Sequence, residues 1–399
     1  MYRLCTQFLA ALSFAMLLTV AVEAQEAKGK SAARDLTEPQ VREMIGKLAS
    51  TSFSERQQAS KDLLNVTPEF VSLLEDAAKS LSGETQARLR VILPQVRNRL
   101  FNDQLGAFLK KPSIETAQSL PQWERFERIC GHEDDALSMF SQILEAEKQL
   151  FATRLFAVRE LPAMLESRTT DIAKQFNGSA DEEFPIASVA AVMLLGSETE
   201  TRLVRGTSTN ISSALDDPRF RRIIQDGVYS RALRAIVEAW IVRKGLAAER
   251  PLLFSMQHDL AAGRTVAIRV IESKSRRPDM ILSILCLAKL SDPADLPLIE
   301  ALLDNETILW PQRGQVVKTL ISGEAPVDTN YNIQTRDVAL IAAAHLRGIS
   351  TTEIGSMART SDVTLFAIDS IGFSTDEARS KAFAAYRKFA AANGVPGGK

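Results

Sequence analysis

Apolar residues recur at helical spacing along most of this chain, and that periodicity limits the fold more than any other feature. Leu233, Ile236, Val237, Trp240 and Ile241 fall at i, i+3, i+4, i+7 and i+8, which places them on one stripe of a helix. Ala136, Phe140, Ile143 and Leu144 repeat the pattern, and Ala378, Ala382, Ala385, Tyr386 and Phe389 give it again near the C-terminus. Breakers are sparse, with 19 glycines and 15 prolines in 399 residues, below the ordinary share of either. Gly196, Gly227, Gly245, Gly263, Pro278, Pro293 and Gly348 punctuate the chain at intervals that leave room for helices of about three to five turns. The expected class is all-α, a row of stacked antiparallel helical hairpins with Leu233, Ile236, Val237 and Ile284 in the core.

Helix starts are written locally as well. Thr37 with Gln40, Ser54 with Gln57, and Ser374 with Glu377 have capping-box spacing, and Thr67 before Pro68 places a cap ahead of a proline at the first helical position. Two stretches depart from the helical texture. Residues 177 to 185 read as an exposed acidic loop. Residues 311 to 334, with Val316, Val317, Thr319 and Ile321 between Gly314 and Gly323, read either as a short β-hairpin insertion or as a loop.

Charge and composition exclude several classes of function. Lys and Arg total 48 against 49 Asp and Glu, a formal charge of −1, so nothing suggests nucleic acid as a partner, since phosphate neutralisation needs an excess of cations. At the N-terminus, Arg3 precedes the apolar run Phe8 to Val22, followed by Ala24 with small residues at the two positions that signal peptidases read. This layout predicts a signal peptide over 1–24, cleaved after Ala24, and no stable membrane insertion afterwards, because a span needs about 20 apolar residues. Residues 25–36 are polar and small, a flexible tether. The remaining segments are then 37–110, N-terminal helical repeats; 111–305, central hairpins; 306–392, a C-terminal helical region with the β insertion; and 393–399, a disordered tail.

Phe53 to Ala59 with Leu63, Leu64, Pro68, Val71 and Leu74, then Gln86 to Leu89, resembles a degenerate HEAT repeat. Leu120 to Phe126 with Gly131, Thr335 to Leu340 with His345 and Leu346, and Gly372 to Arg379 are similar to segments of the secreted helical-repeat proteins that planctomycete bacteria carry in many copies. The resemblance covers residues 40 to 150 and 280 to 390, and it implies a HEAT-like α-solenoid that is secreted, with no assigned reaction and no catalytic motif to carry over.

Candidate chemistry is thin. His132 beside Glu133, Asp134 and Asp135 offers imidazole and oxygen ligands, but contiguous residues at a helix start point apart and acidic ones there complement the helix dipole. His258 with Asp259 reads as a solvated pair, and His345 as a hydrogen-bonded core histidine. Cys130 and Cys286 read as two separate buried thiols. No phosphate-cradling glycine loop or nucleophile elbow occurs, so no cofactor, metal or catalytic residue is assigned. Paired carboxylates at Asp181, Glu182 and Glu183 or at Asp216 and Asp217 would suit a secreted all-α hydrolase or lyase. Arg219, Arg221, Arg222, Arg231 and Arg234 form the densest basic stretch, read as a salt-bridged outer face.

The favoured function is therefore a non-catalytic, periplasmic or secreted scaffolding protein that binds an unknown protein partner, with the carboxylate enzyme as the alternative. N-terminal sequencing of the exported protein is expected to begin at Gln25; a mature chain starting at Met1 would refute the leader.

Overall fold

The computed structural model describes residues 36–176, 183–273, 277–316 and 327–393. The expected leader, most of the tether, Asp181, Glu182, Val317, Thr319 and Ile321 lie outside the described residues. The described chain is mostly helical with two small antiparallel strand pairs, in agreement with the all-α class. It divides into two compact units between Gln104 and Leu105.

The first unit holds α1 (Glu38–Lys47), α2 (Phe53–Leu63), α3 (Val71–Ser80) and the start of α4 (Gly83–Lys110). Val41, Ile45, Leu63, Leu74, Leu89 and Val96 from all four helices share one buried cluster. Thr37 closes its capping box as expected, its N–H donating to Gln40 Oε1 at 2.8 Å. The cap of α2 is Ser52 rather than Ser54, because Arg56 donates to Ser50 O at 2.7 Å and Thr51 O at 3.0 Å and so fixes where the turn begins. At the other end of α2, Arg99 on α4 donates to Leu64 O at 2.9 Å and also to Val66 O, supplying hydrogen bonds to carbonyls that a helix terminus leaves open.

In the second unit, α5 (Ile114–Ala117), α6 (Trp123–Cys130), α7 (Asp134–Phe156) and α8 (Leu161–Phe176) come first. Trp123, Phe126 and Phe140 make an aromatic cluster, with Trp123 5.1 Å from Phe140 and Phe126 4.8 Å from it. Next follow α9 (Ile186–Gly196), α10 (Arg205–Asp216), α11 (Pro218–Asp226), α12 (Ser230–Ile241), α13 (Glu249–His258), α14 (Ala262–Glu272), α15 (Arg277–Leu290) and α16 (Leu296–Glu300). Two of these, with α17 (Thr335–Leu346), are apolar on every face and run through the interior. They are α9, buried from Ser188 to Gly196, and α15, buried from Ile281 to Ala288, while α17 is buried from Asp337 to Ala344. The stripe on α12 packs as read: Leu233, Ile236 and Val237 are fully buried, and α12 lies against α6 and α9. Gly196 permits that approach, since a Cβ there would stand 2.7 Å from the Trp240 ring.

The hairpin exists but begins earlier than the β-branched run suggested. Strand β1 (Ile308–Val316) pairs antiparallel with β2 (Val327–Gln334), Val316 standing opposite Val327. A second pair, β3 (Thr360–Ser361) with β4 (Leu365–Phe366), lies beyond the region to which sheet was confined; Thr364 Oγ1 donates to Phe366 O at 2.8 Å and closes that turn locally, with Leu365 at φ 67°. The last helix, α18 (Asp376–Asn393), is capped by Thr375, whose hydroxyl accepts from Ala378 N at 3.1 Å, rather than by Ser374.

Residues far apart in sequence are tied by buried ion pairs. Arg379 on α18 donates to Asp337 Oδ1 at 2.8 Å, and Asp337, fully buried, also accepts from Gln334 N at 2.9 Å at the start of α17. Arg379→Met should therefore cost about 3–5 kcal/mol, because an unpaired carboxylate would remain inside. Asp337→Asn added to that variant should recover part of the loss, since the amide can still cap α17 without a charge. Urea unfolding of the two variants beside the parent checks this; equal stability of all three would contradict it.

Candidate functional site: a cleft lined with cations

A cleft of about 790 Å³ in the second unit opens where α9 and α12 end and α10 begins. Each wall has a local cause. Arg243 satisfies the last carbonyl of α9, its Nε donating to Gly196 O at 2.6 Å, and its Nη2 donates to Thr201 O in the segment that follows. One helix further on, Arg269 of α14 does the same for α12, donating to Val242 O at 2.9 Å. Both guanidinium groups are thereby drawn to the cleft wall. The segment between α9 and α10 is held from its other side by Arg125, which donates to Ser197 Oγ at 2.7 Å, and by Arg154, which donates to Glu198 Oε2 at 2.8 Å. Gly245 turns the chain out of α12 at φ 89°, a backbone that residues with a side chain rarely adopt.

Arg202, Arg205 and Lys244 also line the cleft and are exposed. None of the three has a carboxylate within 4.0 Å among the described residues. Against these five cations the lining offers one carboxylate, Glu200. In a chain of formal charge −1 such an excess is local and strong. Burial holds the Arg243 guanidinium below its ordinary pKa, a sign that its charge is poorly hydrated. Leu203, Val204, Ala239, Val242 and Leu246 add apolar wall between the charges. A neighbouring cavity of about 460 Å³ shares Arg205, Ser208, Gly245 and Leu246 with the first and continues it past Leu215 and Pro251. Guanidinium groups on a partly apolar wall suit the capture of carboxylate or phosphoryl oxygens.

The residues singled out in the sequence have other occupations. Glu133 and Asp135 both accept from Arg231, at 2.6 and 2.8 Å, and that cation pulls the Glu133 carboxyl down to about 2; His132 stands 3.7 Å from Glu127 instead. Asp217 caps α11, accepting from Arg219 N at 2.8 Å, and its pKa is lowered by the Arg219 side chain, while Asp216 pairs with Arg250 at 2.6 Å. The two neighbours are thus turned to different partners. Glu183 is exposed. Of the basic stretch, Arg219, Arg221 and Arg231 pair with carboxylates, whereas Arg234 donates to His258 O at 2.8 Å. Cys130 and Cys286 are free and buried, and burial pushes each thiol up to about 12.

Two histidine expectations are corrected. His258 is not solvated: it is 4% exposed, its ring lies 4.3 Å from Phe254, and neither ring nitrogen has a hydrogen-bond partner. Arg234 binds the carbonyl at this helix end and so draws the residue inward, which no local pattern announces. His345 is half-buried against Phe366 at 6.0 Å and makes no ring hydrogen bond among the described residues, because the helix face it occupies turns toward the short β3–β4 pair. The cleft cations were missed because Arg202, Arg205, Arg243, Lys244 and Arg269 are scattered. Only the pairs Arg202/Arg205 and Arg243/Lys244 beside helix ends hint at them. The chain matches no protein family, and no curated protein or solved structure aligns with it.

Burial, with Arg221 and Arg234 adding to it and Asp259 opposing it, lowers the His258 pKa from 6.5 to about 4. The unfolded chain therefore takes up a proton near 6.5 that the folded chain accepts only near 4. Stability contributed by the neutral ring is complete above the upper value and declines as pH falls through that window. His258→Phe keeps the ring on Phe254 and removes the titration, so melting temperatures at about pH 4.5 and about pH 7 should differ less in the variant than in the parent. An equal difference would show that the ring does not titrate in this way.

Proposed function

We propose that this protein is a non-catalytic interaction module, exported to the periplasm or beyond the cell, that holds a protein partner on a stack of HEAT-like helical hairpins. One observation carries the reading. The described acidic residues that the sequence offers for catalysis cap a helix, are paired or are exposed, whereas the cleft between α9, α10 and α12 presents cations without carboxylate partners. A surface of that kind binds more readily than it transforms. Support for the stacked arrangement comes from helices joined by short connections that pack on one another, α1 with α2 and α14 with α15, and from arginines later in the chain closing the ends of earlier helices. Export rests on the layout from Arg3 to Ala24.

Among the described residues no helix is long and apolar enough to cross a membrane. A photo-reactive residue introduced at Val204, on the cleft wall, tests the reading in the native envelope. Reproducible capture of one protein, followed by re-formation of that complex from purified components, is the expected result. Turnover of a polysaccharide or peptide by the purified chain would overturn it and establish the enzyme instead.

A further inference from the structure

We propose that the cleft between α9, α10 and α12 takes an extended acidic segment of a protein, binding its carboxylates on Arg202, Arg205 and Lys244 while its apolar side chains lie along Leu203, Val204 and Leu246. The proposal rests on the interaction reading and specifies the chemistry of the partner.

Three features select this ligand. First, the charge is present without an internal use. Arg243 and Arg269 are engaged with the carbonyls of Gly196, Thr201 and Val242, but the fold assigns no such contact to Arg202, Arg205 or Lys244. Long cationic side chains left exposed around a concavity gain by meeting anions there. Second, the concavity is long. Two cavities of about 790 and 460 Å³ that share four lining residues offer an extended track rather than a pocket for a single small anion, which would need only a few donors. Third, the apolar wall argues against a polyphosphate or nucleic acid. Such a ligand would leave Leu203, Val204 and Leu246 facing phosphate, and the one aromatic residue lining the track, Trp240, is 2% exposed and cannot stack a base. A peptide with alternating acidic and apolar residues meets both surfaces, because successive side chains of an extended strand point to opposite sides.

The test uses the full chain with two synthetic hexapeptides, one of glutamates only and one alternating Glu and Leu, labelled for fluorescence anisotropy. The alternating peptide should bind more tightly than hexaglutamate, and its affinity should fall as salt is raised. Arg202→Glu combined with Lys244→Glu should weaken it by at least about tenfold, while Arg90→Glu, an exposed arginine of the first unit, should leave it unchanged. The side chains of Arg202 and Lys244 make no hydrogen bond or ion pair among the described residues, so an unaltered melting temperature is the control. Absence of binding, or binding indifferent to the double substitution, overturns the proposal. Tighter binding of inorganic pyrophosphate or of a single-stranded oligonucleotide at the same residues overturns it as well. If the photo-captured partner binds normally to the double variant, the acidic-segment inference fails while the interaction reading stands.

Discussion

Arginine side chains that donate to the carbonyl ends of neighbouring helices are the interaction on which the second unit depends. A helix leaves its last four carbonyls without partners and carries partial negative charge there, so a short-helix protein accumulates many such ends. Here Arg243 closes α9, Arg269 closes α12 and Arg234 closes α13, and in the first unit Arg99 closes α2. A hydrogen bond from a charged donor contributes about 1.5–3 kcal/mol, more than a neutral one, and each of these comes from a residue outside the helix it closes. They thus fix helix ends against one another, where apolar packing alone would permit sliding.

That mode of closure also places charge. An arginine recruited to a helix end brings its guanidinium to the place where chains turn, and clefts form at turns. Arg243 and Arg269 stand in the cleft wall for this reason, and they raise the positive potential experienced by whatever approaches Arg202, Arg205 and Lys244. Several cations elsewhere are neutralised in place. Arg379 meets Asp337, Arg264 meets Asp295 at 2.7 Å, and Arg347 meets Glu300 at 2.6 Å with Tyr386 donating to the same carboxylate at 2.5 Å. The cleft differs in that three exposed cations without carboxylate partners, Arg202, Arg205 and Lys244, share one concavity.

The interior follows a different rule. α9, α15 and α17 are apolar around their circumference, so other helices must cover every side of them. Close approach then requires small residues, and Gly196 beneath Trp240 and Gly263, where a Cβ would meet Ser255 at 2.5 Å, supply them. Polar groups caught in such surroundings are costly unless satisfied, and burial, with the charges of Arg221 and Arg234, holds the His258 pKa well below its ordinary value.

The sequence by itself determined the helical class, the stripe on α12, the box at Thr37, and a break from helix around residues 311 to 334, because these depend on periodicity and on hydrogen bonds within a few residues. It also marked Cys130 and Cys286 as two separate buried thiols. Cap positions at Ser52 and Thr375 departed by one or two residues from the expected ones, since Arg56 and the helix start at Asp376 choose among several nearby hydroxyls. Only the tertiary structure decided that His258 is buried, that Asp216 and Asp217 face different arginines, and that Arg202, Arg205, Arg243, Lys244 and Arg269 share one cleft. The physical reason is distance along the chain: a local pattern fixes which face a residue occupies, but which charge stands opposite that face is set by a helix that arrives tens of residues later.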